Sequence, residues 1–125
     1  MSALETAGLT LLKSVTVNLS TTGTTTIYVV PQGYTCVPVM AVFLPGSPSN
    51  GAHISVGQNS APTDFIPEST LSTTDVSGDF YILQPIRSST PLKQVAYPAG
   101  TVIQANVISA LGGSTNVITL FGYLF

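Results

Sequence analysis

Charge is the first thing this chain lacks. Asp, Glu, Lys and Arg together make up 6% of its 125 residues, against roughly a quarter in ordinary soluble domains. Three basic residues and a net charge of −2 exclude binding driven by neutralising nucleic-acid phosphates. A single cysteine, Cys36, excludes an internal disulfide and fits a reducing compartment or a fold that needs no staple. There is one histidine, His53, and no tryptophan. A Ser-His-Asp site would have to be built around His53 in "NGAHISVG", and no G-x-S-x-G elbow accompanies it. Phosphate loops, H-E-x-x-H and paired Cys motifs are also missing. The longest apolar run, Val37 to Leu44, has eight residues and contains Pro38, whereas a membrane-spanning helix needs about twenty. The opening "MSALETAG" has neither a basic region nor an apolar core, so no signal peptide is expected.

Hydroxyls take the place of charge. Serine and threonine supply 14 and 17 residues, 31 of the 125, and threonine favours strands because its branched Cβ suits a pleated surface. The few charges are clumped: six of the eight (Asp64, Glu68, Asp75, Asp79, Arg87, Lys93) fall within thirty residues, and none lies between Lys13 and Asp64. So little charge gives weak like-charge repulsion between copies, and interface cores are themselves depleted in charge. The composition therefore points to a chain packed against copies of itself or a larger body.

The hydrophobic pattern predicts strands throughout. From Leu9 to Leu19, Leu9, Leu11, Val15, Val17 and Leu19 alternate with Thr10, Ser14, Thr16 and Asn18, with Leu12 and Lys13 as exceptions. That is the pattern of a half-buried antiparallel strand. Further strands are expected at Thr24 to Val30, Thr35 to Leu44, around His53 to Val56, Asp79 to Gln84, Thr101 to Ser109 and Thr115 to Phe125. The Thr35–Leu44 run is apolar on both faces and so reads as central. Pro45 to Pro62 and Pro67 to Gly78 read mainly as loops. Asn50-Gly51 and Gly112-Gly113 read as hairpin turns. "VPQG" and "YPAG" share a Pro-x-Gly turn and read as equivalent corners, with proline presetting the turn's second position. No segment carries a 3.6-residue stripe over three turns. Seven or eight short strands with regular turns predict an all-β antiparallel sandwich of jelly-roll type over residues 9–125, preceded by an arm at residues 1–8.

The closing "ITLFGYLF" has faces Val117, Thr119, Phe121, Tyr123, Phe125 and Ile118, Leu120, Gly122, Leu124. One face can enter the core; the other needs a second cover, because each large side chain left exposed forfeits about 1.5–3 kcal/mol of burial. "DVSGD" (Asp75 to Asp79) has oxygen ligands of the kind calcium accepts, without EF-hand spacing, and reads as a solvated acidic rim. No metal or other cofactor is expected. "NLS" at Asn18 matches a glycosylation sequon, and Tyr28, Tyr34 and Tyr97 are the only aromatics that suggest a carbohydrate platform.

"TTIYVVPQGYTCVPVMAVF", "VAYPAGTVIQANVI" and "ITLFGYLF" together resemble small all-β virion proteins of tailed bacteriophages, of the capsid decoration or cement type. The resemblance covers most of the chain from Thr24 onward. It implies a non-catalytic structural protein on the capsid surface, a homo-oligomer (expected to be a trimer) that contacts the major capsid protein and adds attractive area between shell subunits. Nucleic acid and membrane are not expected partners. Within that reading Leu120, Phe121, Tyr123 and Phe125 are expected in subunit contacts. Leu4, Glu5, Asp64, Glu68 and Asp75 are expected to face the shell. The alternative is a receptor-binding or adhesion module of a fibre or spike.

Overall fold

The computed structural model describes residues 9–46, 51–71, 80–83, 85 and 95–125. Eight strands carry the fold: β1 (Thr10–Val17), β2 (Gly23–Val29), β3 (Cys36–Leu44), β4 (His53–Gln58), β5 (Ala61–Thr70), β6 (Tyr81–Leu83), β7 (Val102–Ser109) and β8 (Asn116–Leu124). They form two four-stranded antiparallel sheets, ordered β1-β8-β3-β6 and β2-β7-β4-β5. Four pairings are nested, β1 with β8, β2 with β7, β3 with β6 and β4 with β5. This is a long antiparallel ribbon bent over itself until β8 meets β3 and β7 meets β4. That wrapping is the jelly roll the strand spacing predicts.

Alternation sends one face of each strand into the space between the sheets. Val17, Phe43, Ile118 and Leu120 from the first sheet meet Ile27, Ile54, Val56, Phe65, Ile66 and Ile103 from the second, all at most 2% exposed. Leu19 and Tyr97 fill the core from outside the strands. Asn116, fully buried, organises one end of the sandwich: its amide donates to the Val17 and Gly113 carbonyls, and its oxygen accepts from the Gly46 backbone. One side chain thereby bonds three backbone groups from separate segments.

Bulges explain the places where the simple pattern breaks. Register slips between Leu11 and Lys13, so Leu11 pairs with Phe121 while Val15 pairs with Ile118. The two therefore lie on opposite faces, and the single face expected for Leu9 to Leu19 is divided at Leu12. A second slip, between Pro38 and Met40 of β3, falls opposite the same part of β8. Pro38 sits beside that bulge, where a central strand can do without its amide. Beside the β3 bulge lies Gly122. A Cβ there would stand 2.6 Å from the Val37 carbonyl oxygen and 2.9 Å from Pro38 Cα, so glycine permits the close approach.

Three expectations about connections need correction. Gly112-Gly113 does not close a hairpin, because β7 and β8 belong to different sheets; the segment crosses between them, with Leu19 N donating to Gly113 O. Asn50 lies outside the described residues, and Gly51 precedes β4, which belongs to the other sheet from β3. The Ala61–Thr70 stretch, read mostly as loop, is β5, and β4 runs on to Gln58. Pro62 and Pro67 disguise it, yet β5 is an edge strand and can carry proline. The Pro-x-Gly corners are equivalent and adjacent. Tyr34 N bonds Pro31 O and Thr101 N bonds Pro98 O, while Val30 bonds across to Gly100 and Thr101. Proline occupies the first position of each turn, not the second, with Gly33 and Gly100 at φ 83° and 86° as a type II turn requires.

Two substitutions separate steric from polar constraints. Gly122→Ala is expected to lower the urea midpoint by an amount corresponding to roughly 1–3 kcal/mol, as overpacking does. Ser55 is fully buried and its hydroxyl has no hydrogen-bond partner. Ser55→Ala is therefore expected to leave the midpoint unchanged or raise it, since removing an unpaired buried hydroxyl relieves its desolvation. A large loss of stability in Ser55→Ala would contradict this.

Candidate interaction surface

The face of β8 turned away from the core presents Val117, Thr119, Phe121 and Tyr123. Register brings Leu44, Val42, Met40 and Val37 of β3 alongside them, Leu11 of β1 beside Phe121, and Ile82 of β6 beyond Val42. β3 is apolar on both faces because one covers the core and the other builds this outer surface. Among the described residues no charged side chain belongs to the surface. Leu11 and Ile82 are 55% and 57% exposed, and Leu44 and Val117 are 42% and 37% exposed. Two of its hydroxyls pair with each other, Ser14 Oγ lying 2.6 Å from Thr119 Oγ1, which lowers the desolvation penalty of covering them. The outer side of the second sheet differs: paired positions there include Thr24 and Thr26 of β2 and Asn106 and Gln104 of β7. The first side is the more apolar of the two, and the second is the richer in hydroxyls and amides, with Val29 and Ile108 as its exposed apolar residues.

Beyond β8 the backbone stays ordered to Phe125, whose N–H and C=O both bond Thr35, at 3.0 and 3.1 Å. The Tyr123 and Phe125 rings stack with centroids 6.1 Å apart and planes 29° from parallel. Phe125 remains 48% exposed, so the stack is a ready contact surface.

The sequence-predicted contact residues divide. Phe121, Tyr123 and Phe125 lie together towards one end of the outer face. Leu120 is on the opposite side of β8, fully buried against Ala41, and contributes to the core. Asp64 and Glu68 belong to β5 in the other sheet. The Asp64 carboxylate accepts from the Gln58 backbone N at 3.2 Å, from Gln58 Nε2 at 2.9 Å and from the Tyr97 hydroxyl, so it ties the β4–β5 turn to the core. Glu68 Oε2 lies 3.0 Å from His53 Nδ1 in a half-exposed hydrogen bond. Leu4, Glu5 and Asp75, with the rest of "DVSGD", lie outside the described residues. Leu11, Met40, Val42 and Ile82 were not picked out from the sequence. The doubly apolar Thr35–Leu44 run was the available signal for Met40 and Val42, and the bulge hid Leu11.

Chemistry elsewhere is subdued. Cys36 is fully buried in β3, and burial pushes its thiol up to about 11. A thiol so firmly protonated is a poor nucleophile near neutrality. Burial, and next the hydrogen bond to Asp64, raise Tyr97 well above the usual tyrosine range. Tyr28 is raised as well, by burial first and then by proximity to Cys36 and Tyr34. Among the described residues no cluster of His, Cys, Asp and Glu could hold a metal ion. The Asn18 side-chain oxygen of the sequon accepts from the Ser20 backbone at 2.8 Å, closing a local turn.

Neither a protein-family model nor a curated protein sequence matches the chain. Solved structures do. A chain in the acidic stable capsid structure of Helicobacter pylori bacteriophage KHP30 superposes with a TM-score of 0.64 at 16% identity, covering 94% of this chain and 87% of that one. A chain in the capsid asymmetric unit of cyanophage Pam1 gives a TM-score of 0.55 at 14% identity, with 93% and 85% covered. At such identities the likeness establishes a shared fold over nearly the full length of each chain.

The buried thiol sets a pH dependence. In the unfolded chain Cys36 releases its proton near the ordinary thiol value of 9.0, and in the folded chain only near 11. Between those values the folded state binds more protons, so stability falls as pH rises through this window. Tyr28 and Tyr97, also raised, extend the loss to higher pH. The melting temperature is expected to drop from pH 9 to 11, and less steeply in Cys36→Ala. At pH 8 the native protein is expected to resist alkylation until denaturant is added.

Proposed function

We propose that this chain is a structural component of a bacteriophage virion that binds the capsid exterior as a homo-oligomer and stabilises the shell, without catalysis. The observation that carries the proposal is the uncharged apolar outer face of the β1-β8-β3-β6 sheet, on a jelly roll shared with chains of two phage capsid structures. A surface of this kind marks an interaction site. Covering it with a second copy brings together two surfaces without charge, so no ion has to be desolvated. Phe121, Tyr123 and Phe125 serve in subunit contacts, now with Leu11, Met40 and Ile82 in place of Leu120. The shell-facing parts are Leu4, Glu5, Glu68 and Asp75. Asp64 is already engaged within the fold. A symmetric oligomer that touches several shell subunits at once binds by multivalency: after one contact forms, the others are made at high effective concentration. Low charge leaves such binding weakly dependent on salt.

Sedimentation at several concentrations is expected to give a trimer of about 39 kDa, three times 12.9 kDa. Phe121→Ser with Tyr123→Ser, which touches only the outer face, is expected to yield a monomer that still unfolds cooperatively. The wild-type oligomer is expected to co-sediment with emptied shells of the phage that encodes it and to raise their disruption temperature. A wild-type monomer, or an oligomer that ignores those shells and binds a host glycan instead, would overturn the proposal.

A further inference from the structure

The terminal strands of the two sheets are protected unequally against pairing with another chain. β6 has only three residues, and β5 carries Pro62, Asp64, Pro67 and Glu68. β1 carries Lys13, and that side chain is turned inward. Its register partner on β8 is the core residue Leu120, and it lines an open cleft between the sheets with Val15, Thr26 and Ile27. Shortness, proline and inward-pointing charge all discourage edge-to-edge association. β2, "GTTTIYV", has none of the three. Its bulge falls after Thr26, which leaves Gly23 to Thr26 in regular register with β7. β7, "VIQANVIS", is uncharged as well. Among the described residues, β2 is the one long edge open to a further strand.

We propose that β2 pairs antiparallel with β2 of a second copy about a two-fold axis at Thr25, so that Thr25 lies opposite itself and Thr24 opposite Thr26. The second sheets of the two copies then form one continuous sheet. Three observations select this occupant. A strand without charge meets its own copy with no ion to desolvate or repel. In this register the outward pairs are threonine against threonine, a favourable cross-strand combination. The inward side chains of the arriving strand include Thr25 and Tyr28, whose β7 partners Ala105 and Ile103 belong to the core. Their hydroxyl oxygens can accept from the Lys13 ammonium beside this edge. A charge that discourages an apolar strand is thus received by this one. So short a pairing is weak by itself, because two-stranded units are marginal in water. Between neighbouring oligomers on a shell, at high effective concentration, it becomes a lateral tie. That use rests on the capsid reading, whereas the pairing itself does not.

The test separates this contact from the sheet-face contact. Hydrogen exchange of the wild-type chain is followed over a range of concentrations, and amide protection across Gly23–Val29 is expected to rise with concentration. In the Phe121→Ser/Tyr123→Ser variant, which lacks the sheet-face contact, isotope-labelled and unlabelled chains are mixed at the high concentration of an NMR sample. Cross-relaxation is expected between the Thr24 methyl of a labelled copy and the Thr26 methyl of an unlabelled one. Two charge variants are read by both methods, at positions exposed on β2. Thr24→Lys/Thr26→Lys sets like charges opposite one another and is expected to abolish the pairing. Thr24→Lys/Thr26→Glu sets opposite charges there and is expected to strengthen it several-fold. Protection of β2 that is the same at every concentration, or charge variants that behave alike, overturns the β2 pairing and leaves the sheet-face oligomer standing. A wild-type chain that sediments as a monomer when dilute, yet gains protection in β2 when concentrated, supports the pairing and overturns the sheet-face contact.

Discussion

Everything in the first sheet depends on the ladder that β8 forms with two strands at once. β1 and β3 do not pair with each other; each is held by β8. The contacts are long-range, as in the Ser14–Thr119 hydrogen bond across 105 positions of sequence. Both neighbours bulge around Phe121, and at Gly122 beside it the absence of a side chain lets the β3 backbone approach. The same ladder aligns the apolar residues of β1, β3 and β8 into one outer surface. Fold closure and the candidate interface are therefore two results of a single set of pairings.

The two sides of the sandwich divide the work. Thr24, Thr26, Gln104 and Asn106 help keep the second sheet wettable, since hydroxyls and amides hydrogen-bond to water readily. The first sheet has fewer such groups, Ser14, Thr16 and Thr119, and its exposed leucine, valine and isoleucine residues gain only when covered. Cys36, Tyr28 and Tyr97 form a weakly acidic neighbourhood at one end, held neutral by burial and by the Asp64 hydrogen bond. It contributes rigidity, because Tyr97 links the segment before β7 to β3 through Cys36 and to the β4–β5 turn through Asp64.

Much of the architecture was legible in the sequence because strand periodicity and turn chemistry are local. The Pro-x-Gly corners, the doubly apolar Thr35–Leu44 run and the two-faced final strand all led to correct placements. What was hidden is what local pattern cannot encode. An extra residue at Leu12 moves Leu11 to the other face with no change in composition. Gly112-Gly113 has the same turn chemistry whether the chain returns to its own sheet or crosses to the other. β5 was missed because prolines argue against a strand only when both its edges are paired, and edge status is a property of the assembled sheet. Leu120 was grouped with Phe121 by adjacency in the chain, although neighbours in a strand point to opposite sides.

The nested ribbon also shapes how the chain must fold. Only β4 and β5 are joined by a short turn; each pair outside them encloses a longer loop, and the β1–β8 pair encloses nearly the whole chain. Closure entropy rises with each layer, so zippering outward from the β4–β5 turn is the least costly route, and topologies of this kind fold slowly. Until residues 116–125 have been synthesised, β1 and β3 wait with unpaired edges and uncovered apolar faces. During that interval the chain is most open to capture by a chaperone or to mispairing with another copy.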